Sequence, residues 1–236
     1  MAEIIRLGSL LLDGNHAHHW SRYRGRKISF GDTTPRGAIP FVKYQKLLVA
    51  GEVICPGVPW SALDKQGFIT GRPVCIDGIT YLCRSLKVGM KEGESNEWDS
   101  ILDDLGEDDN LWKWNLKFFW GREGPMDFPS FRTVRGYYSA RSRDTYSTNG
   151  RSTNVGFRPV LEPLPPMPPL SVGGKFKIYG PDKDVSGRLV DFSDYDLIME
   201  PKAGLRLPAK CHQWARRDGS HIIIDRTAIT WMKEEL

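Results

Sequence analysis

The sequence predicts an α+β fold in two domains: a loop-rich N-terminal domain and a small C-terminal β-barrel. Three observations carry this. A proline-rich stretch, LEPLPPMPPLSVGG from Leu161 to Gly174, divides the chain, with five prolines between Pro163 and Pro169. Proline fits neither a helix interior nor a central strand, so this stretch is a semi-rigid extended spacer. Upstream of it, short apolar alternations accompany one helical period. Downstream, the periodicity is strand-like. The domains are therefore 1–161 and 175–236, joined by a linker at 162–174.

In chain order, Lys46 to Cys55 (KLLVAGEVIC) reads as one or two short strands, whereas residues 1–70 as a whole match no named pattern. Arg72 to Leu86 alternates around Asp77-Gly78, the signature of a hairpin turn. Glu97 to Leu105 carries Trp98, Ile101, Leu102 and Leu105 at helical spacing, which predicts a short helix. Trp112, Trp114, Phe118, Phe119 and Trp120 crowd one segment and read as core. Short strands are expected near Thr133 to Tyr138 and Val155 to Val160. Beyond the linker, Phe176 to Gly180, Val185 to Glu200 and His221 to Lys233 are strand-rich. Strong twist near Gly187 lets one bent strand serve two sides of a barrel. The polar stretch Pro201 to Gly219 reads as a long loop.

Composition sets the class. The 236 residues are 40% hydrophobic and 26% charged, as in a globular protein. No apolar run of about eighteen residues is present, so no transmembrane helix is expected. Met1 to Leu12 has no cationic n-region and no cleavage site, which argues against a secretory signal. The net charge of +4 is too small to imply nucleic acid by itself. Cys55, Cys75, Cys83 and Cys211 form no C-x-x-C pair. Free thiols in a reducing cytoplasm follow, with Cys75 and Cys83 read as buried.

Charge is segregated along the chain. Glu92 to Asp109 holds nine acids and no base, which reads as a solvated face. Arg132 to Arg158 holds six arginines against Asp144 alone. This second stretch interleaves tyrosine with Ser, Thr and Asn, a mixture suited to an adaptable binding surface with arginine forks for an anion. The candidate ligand-binding residues are Arg135, Tyr137, Tyr138, Arg141, Arg143, Tyr146, Arg151 and Asn154.

Val134-Arg135-Gly136, Ser139-Ala140-Arg141 and Val155-Gly156-Phe157-Arg158-Pro159-Val160 together resemble the ending of formylglycine-generating-enzyme-like domains. Glu97-Trp98-Asp99 resembles their upstream helix. That family is similar in fold to C-type lectins. Asn96 to Asp99, Trp112 to Trp114 and Gly156 to Glu162 also resemble uncharacterised prophage proteins. Together these matches cover residues from about 70 to 162. The oxidases of the family hold copper through two cysteines after R-G. Here Tyr137, Tyr138, Ser139 and Ala140 follow, and no cysteine comes before Cys211, so the resemblance implies a scaffold without the oxidase site. Lectin-like domains diversified by retroelements vary Tyr, Asn, Ser, Asp and Thr just before a similar ending, which implies a binding face at Tyr137 to Asn154.

The C-terminal domain resembles the Sm-like fold of the Hfq type, in the same small-barrel class as SH3 domains. Gly187, Leu189, Phe192, Tyr195, Leu197 and Ile198 align with its first motif, and Arg226 to Thr230 with its second. The resemblance implies RNA contacts at Tyr195, which stacks a base, and at Arg226, which meets phosphate. Asp194 and Asp225 oppose phosphate there. It also implies oligomerisation through exposed strand edges.

Other motifs carry less. His16, His18 and His19 cluster beside Asp13, and His16 and His18 are weak metal candidates whose bland reading is exposed or hydrogen-bonded histidine. Gly173-Gly174-Lys175 lacks the upstream glycine of a P-loop. Asp103, Asp104, Asp108 and Asp109 do not have the spacing of a calcium loop. No cofactor is expected. The reading is a non-enzymatic phage-type protein in the cytoplasm of a bacterial host. It captures a host factor or an anionic nucleotide, as in counter-defence, and assembles through its barrel. The alternatives are an RNA-binding regulator and a metal-dependent enzyme.

Overall fold

A computed structural model describes residues 2–125, 127–181 and 183–235, apart from the side chain of Lys210. It corrects the expected fold class. The chain is β-rich rather than α+β, with 41% strand, 11% helix and three helices among the described residues. The reason lies in residues 1–70. Ile4 to Leu12 hides its strand period, because Gly8 takes a positive φ of 63° at a register shift between Leu7 and Ser9. The inward positions therefore jump by one residue and alternation fails on inspection.

The chain divides into two compact units, Met1–Pro163 and Leu164–Leu236. The first unit contains β1 (Ile4–Leu12), β2 (Asn15–His16), β3 (Ile28–Gly31), β4 (Ala38–Tyr44), β5 (Leu47–Ala50) and α1 (Trp60–Lys65). It continues with β6 (Arg72–Ile76), β7 (Ile79–Arg84), α2 (Glu97–Leu105), α3 (Asp109–Trp112) and β8 (Phe118–Trp120). β9 (Phe131–Gly136), β10 (Arg143–Ser147), β11 (Val155–Gly156) and β12 (Val160–Pro163) complete it. One eight-stranded sheet has the order β2-β1-β4-β5-β12-β7-β6, with β3 paired to β1. A second sheet has the order β10-β9-β8-β11.

The β6–β7 hairpin turns at Asp77 and Gly78, both at positive φ (50° and 77°), with Ile76 opposite Ile79. That is the geometry a two-residue Asp-Gly turn favours. One core gathers Leu10, Ile28, Phe41, Phe68, Trp120 and Phe157. A second gathers Trp98, Ile101, Trp112, Phe119 and Val160, and this one supports the site described below.

The second unit is one six-stranded antiparallel sheet. Its strands are β13 (Lys175–Tyr179), β14 (Asp184–Phe192), β15 (Asp196–Pro201), β16 (Ala215–Asp218), β17 (His221–Asp225) and β18 (Trp231–Glu234). The order is β16-β17-β15-β14-β13-β18. β14 shifts register between Leu189 and Asp191, which leaves Val190 exposed. A Cβ on Gly187 would lie 2.3 Å from the Glu200 carbonyl oxygen, so that position requires glycine. The stretch expected as one loop, Pro201 to Gly219, instead holds a 3-10 turn at Ala209–Gln213 and the strand β16. β16 reads ARRD, with its last three residues exposed. A polar edge strand has no alternation by which to announce itself.

Candidate functional site

The acidic run and the arginine run close on each other. α2 begins at Asn96, whose side chain accepts from the Asp99 backbone N–H at 2.9 Å and donates to Asp99 Oδ2 at 2.6 Å. Glu97 and Asp99 lie in the first turn, where the helix dipole favours negative charge. Glu97 takes a two-pronged contact from Arg84 at 2.8 and 2.7 Å and accepts from the Lys87 N–H at 2.9 Å.

Asp99 is the hub. It pairs with the buried Arg135, with Arg143 at 3.7 Å and with Arg141 at 3.8 Å. Arg141 reaches onward to Asp103 at 2.7 Å and Glu107 at 2.5 Å. Arg135 also donates to the Val88 carbonyl at 2.8 Å. Burial would raise the Asp99 carboxyl, but hydrogen bonds from Asn96 and Arg135 and the guanidinium charges outweigh it and hold the carboxyl below the usual range. Asn96, Asp99, Asp103, Arg135, Arg141 and Arg143 line an open cavity of about 640 Å³.

Two further motif residues are structural. The Trp98 indole donates to the Ala140 carbonyl at 2.8 Å. Arg158 is fully buried, donates to the carbonyls of Ala50 and Trp112 at 2.6 Å each, and lies 5.1 and 4.8 Å from the ring centres of Trp98 and Phe119. Burial lowers its pKa to about 9, which leaves it charged at neutral pH. Cation–π contact and the carbonyl acceptors stabilise that charge. The segments Glu97-Trp98-Asp99, Arg135-Gly136, Ser139-Ala140-Arg141 and Gly156-Phe157-Arg158 thus meet one another inside the fold.

Tyr137 and Tyr138 are placed differently. Tyr137 holds φ 80° directly after Gly136, whose Cβ position would lie 2.4 Å from the Lys117 carbonyl oxygen. The Tyr137 ring stacks on Phe118 with centroids 4.9 Å apart, and Tyr138 meets it edge-on at 4.8 Å. Tyr138 is 79% exposed and Leu116 58%. Leu116 (φ 56°) and Lys113 (φ 45°) also take left-handed backbone, and Leu116 and Tyr137 are tied by a backbone bond of 3.0 Å. The Asn154 carbonyl accepts from the Phe118 N–H at 2.7 Å, which brings exposed Asn154 to this cluster. Leu116 and Tyr137, both left-handed and tied to each other at an exposed aromatic stack, form a strained, preformed surface.

The remaining candidates scatter. Tyr146 is half-buried against Trp120 at 5.8 Å. Arg151 is exposed near Gly57 and Arg22 rather than beside Arg141. In the second unit Tyr195 is 75% exposed at the β14–β15 tip. The Arg226 guanidinium donates to the Ser193 carbonyl, and its backbone N–H donates to the Tyr195 carbonyl at 2.8 Å. Exposed Asp191 and Asp194 flank that tip. His16 and His18 are exposed, and His19 bonds Glu52 at 3.0 Å. Among the described residues no three metal-binding side chains converge. Cys75 is exposed, contrary to its expected burial, whereas Cys55, Cys83 and Cys211 are buried. Burial pushes the Cys55 thiol up to about 12 and the Cys83 thiol up as well.

Sequence reasoning missed Asp99, Asp103 and Glu107 as partners of the arginines, and it missed Leu116 and Phe118. The first three had a signal: an acidic run and an arginine run in one domain are mutual partners. Leu116 had none. Comparison with protein-family models, curated proteins and solved structures finds no match. Among the described residues no helix is long and apolar enough to cross a membrane.

Proposed function

We propose that the chain is a non-enzymatic binding protein whose docking face is the Tyr137–Tyr138–Leu116–Phe118 surface with Asn154 and Lys117 at its margin. One observation carries the reading: Tyr138 stands 79% exposed on a preformed aromatic stack. Rigid aromatics give large contact area at low entropic cost, the usual composition of a hot spot. The arginines beside it are engaged by Asp99, Asp103 and Glu107, so this face favours a protein over an anionic nucleotide. The resemblance to prophage proteins supports a phage product that captures a factor of its bacterial host. In the second unit, β16 and β18 are sheet edges, and head-to-tail pairing of such edges supports self-assembly.

Native mass spectrometry of the protein recovered from bacterial lysate tests both points. The wild type and Arg141→Ser carry a stoichiometric partner on a symmetric oligomer, and Tyr138→Ala with Leu116→Ser loses the partner but stays folded. Loss in the arginine variant with retention in the aromatic one overturns the assignment of the face.

A further inference from the structure

Residues 18–27 read HHWSRYRGRK, and the fold sorts them by side. His19 and Tyr23 turn inward. The His19 carbonyl accepts from the Cys55 N–H at 2.7 Å, and the Tyr23 N–H donates to the Pro56 carbonyl at 2.8 Å. The segment is closed at its base where the Asp13 N–H donates to the Lys27 carbonyl at 2.9 Å. His18, Trp20, Arg22 and Arg24 turn outward and are exposed.

Trp20 is 62% exposed, yet it is held in place. His18 lies parallel to it with centroids 4.6 Å apart, and His19 abuts it edge-on at 4.5 Å. Arg22 and Arg24 make no hydrogen bond or ion pair among the described residues. Arg26 reaches Asp13 only at 4.0 Å and is half exposed. The Arg151 backbone passes beside this group: the Cβ position of Gly57 lies 3.5 Å from its carbonyl oxygen and 3.6 Å from Arg22 Cγ. The nearby carboxylates are engaged, Asp13 by the Lys27 N–H at 2.8 Å and Glu52 by His19.

We propose that this surface, separate from the Tyr138 face, binds single-stranded nucleic acid. An immobilised, open indole is a stacking platform for an unpaired base, and unpaired guanidinium groups around it meet the phosphates. A duplex hides its base faces from the ring, whereas an unpaired strand offers bases and phosphates together; an acidic polypeptide offers only the charge and is the competitor in the test below. The loop is anchored before binding, so little ordering entropy remains to oppose it.

Fluorescence anisotropy on the full chain tests this, with labelled oligothymidylate and oligouridylate as probes. Either strand binds, and their ratio tells DNA from RNA preference. Trp20→Ala weakens binding about tenfold. The pair Arg22→Ser and Arg24→Ser flattens the slope of log affinity against log salt by about 1.4, from about 0.7 per phosphate contact on a single strand. Tyr138→Ala binds as the wild type does, which separates this site from the docking face. The exposed positions leave the far-ultraviolet circular dichroism unchanged. Wild-type affinity in Trp20→Ala, or polyglutamate binding as tightly as the oligonucleotide, overturns the proposal.

Discussion

Asp99 shows how a side chain that looks like surface charge becomes architecture. Arg135 is 1% exposed, so its charge depends on this carboxylate. Asp99→Asn is expected to lower stability by about 2 kcal/mol, less than for a fully enclosed pair because part of Asp99 reaches solvent. The shift of the urea midpoint measures it. The carboxyls of Asp99, Glu97 and Glu162 are all held below their ordinary range. A depressed carboxyl contributes stability that is present above its unfolded pKa, about 4, and is lost as pH falls through its folded value. Burial, which opposes the shift of those carboxyls, is what lowers His19, whose contribution is present above about 6.5 and declines below it. Urea midpoints across pH therefore fall gently below about 6.5 and steeply below about 4, and Asp99→Asn flattens the steep part. The thiols divide by burial: Cys75 reacts with a thiol reagent in the native state, while Cys55, Cys83 and Cys211 wait for unfolding. Rapid modification of two or more native thiols would contradict that placement.

At the scale of elements, what could be read in advance was local. The helix from Glu97 to Leu105 announced itself by apolar spacing, and the hairpin at Asp77-Gly78 by its turn residues. β1 was hidden by the bulge at Gly8 and β16 by its polar edge, since in each the pattern that marks a strand is broken by the feature that shapes it. The strand share was underestimated for the same reason: strands without alternation were counted as irregular. The tyrosine face depends on the end of β9. Gly136 holds φ 104° against the Lys117 carbonyl, and Tyr137 leaves it in a left-handed turn. Gly136→Ala adds a Cβ where a backbone atom already lies, so it costs more than about 1 kcal/mol and disturbs the Tyr137–Phe118 stack. Loss of near-ultraviolet dichroism alongside a lower melting temperature reports both effects.

At the scale of the whole molecule, each unit has its own core, the second built around Phe176, Leu189, Met199 and Trp214. Fragments 1–163 and 164–236 prepared separately are expected to unfold cooperatively, each with a sigmoidal thermal transition. A fragment without one would show that its core is incomplete alone. Of the candidate site, Tyr137 and Tyr138 stood out because aromatic residues are interleaved with small polar ones there, whereas Tyr146 packs against Trp120 instead. The role of the arginines was not, because charge segregation along a chain does not say whether opposite runs face solvent or each other. In the fold the two runs face each other through the ion pairs of Asp99, Asp103 and Glu107 with Arg135 and Arg141. A double-mutant cycle of Asp99→Ala and Arg135→Met, read by urea denaturation, tests it most directly. Each single change is expected to cost about 2–3 kcal/mol, and the double mutant to be no less stable than the weaker single, a coupling of about 2 kcal/mol. Costs that add to within about 0.5 kcal/mol would contradict it.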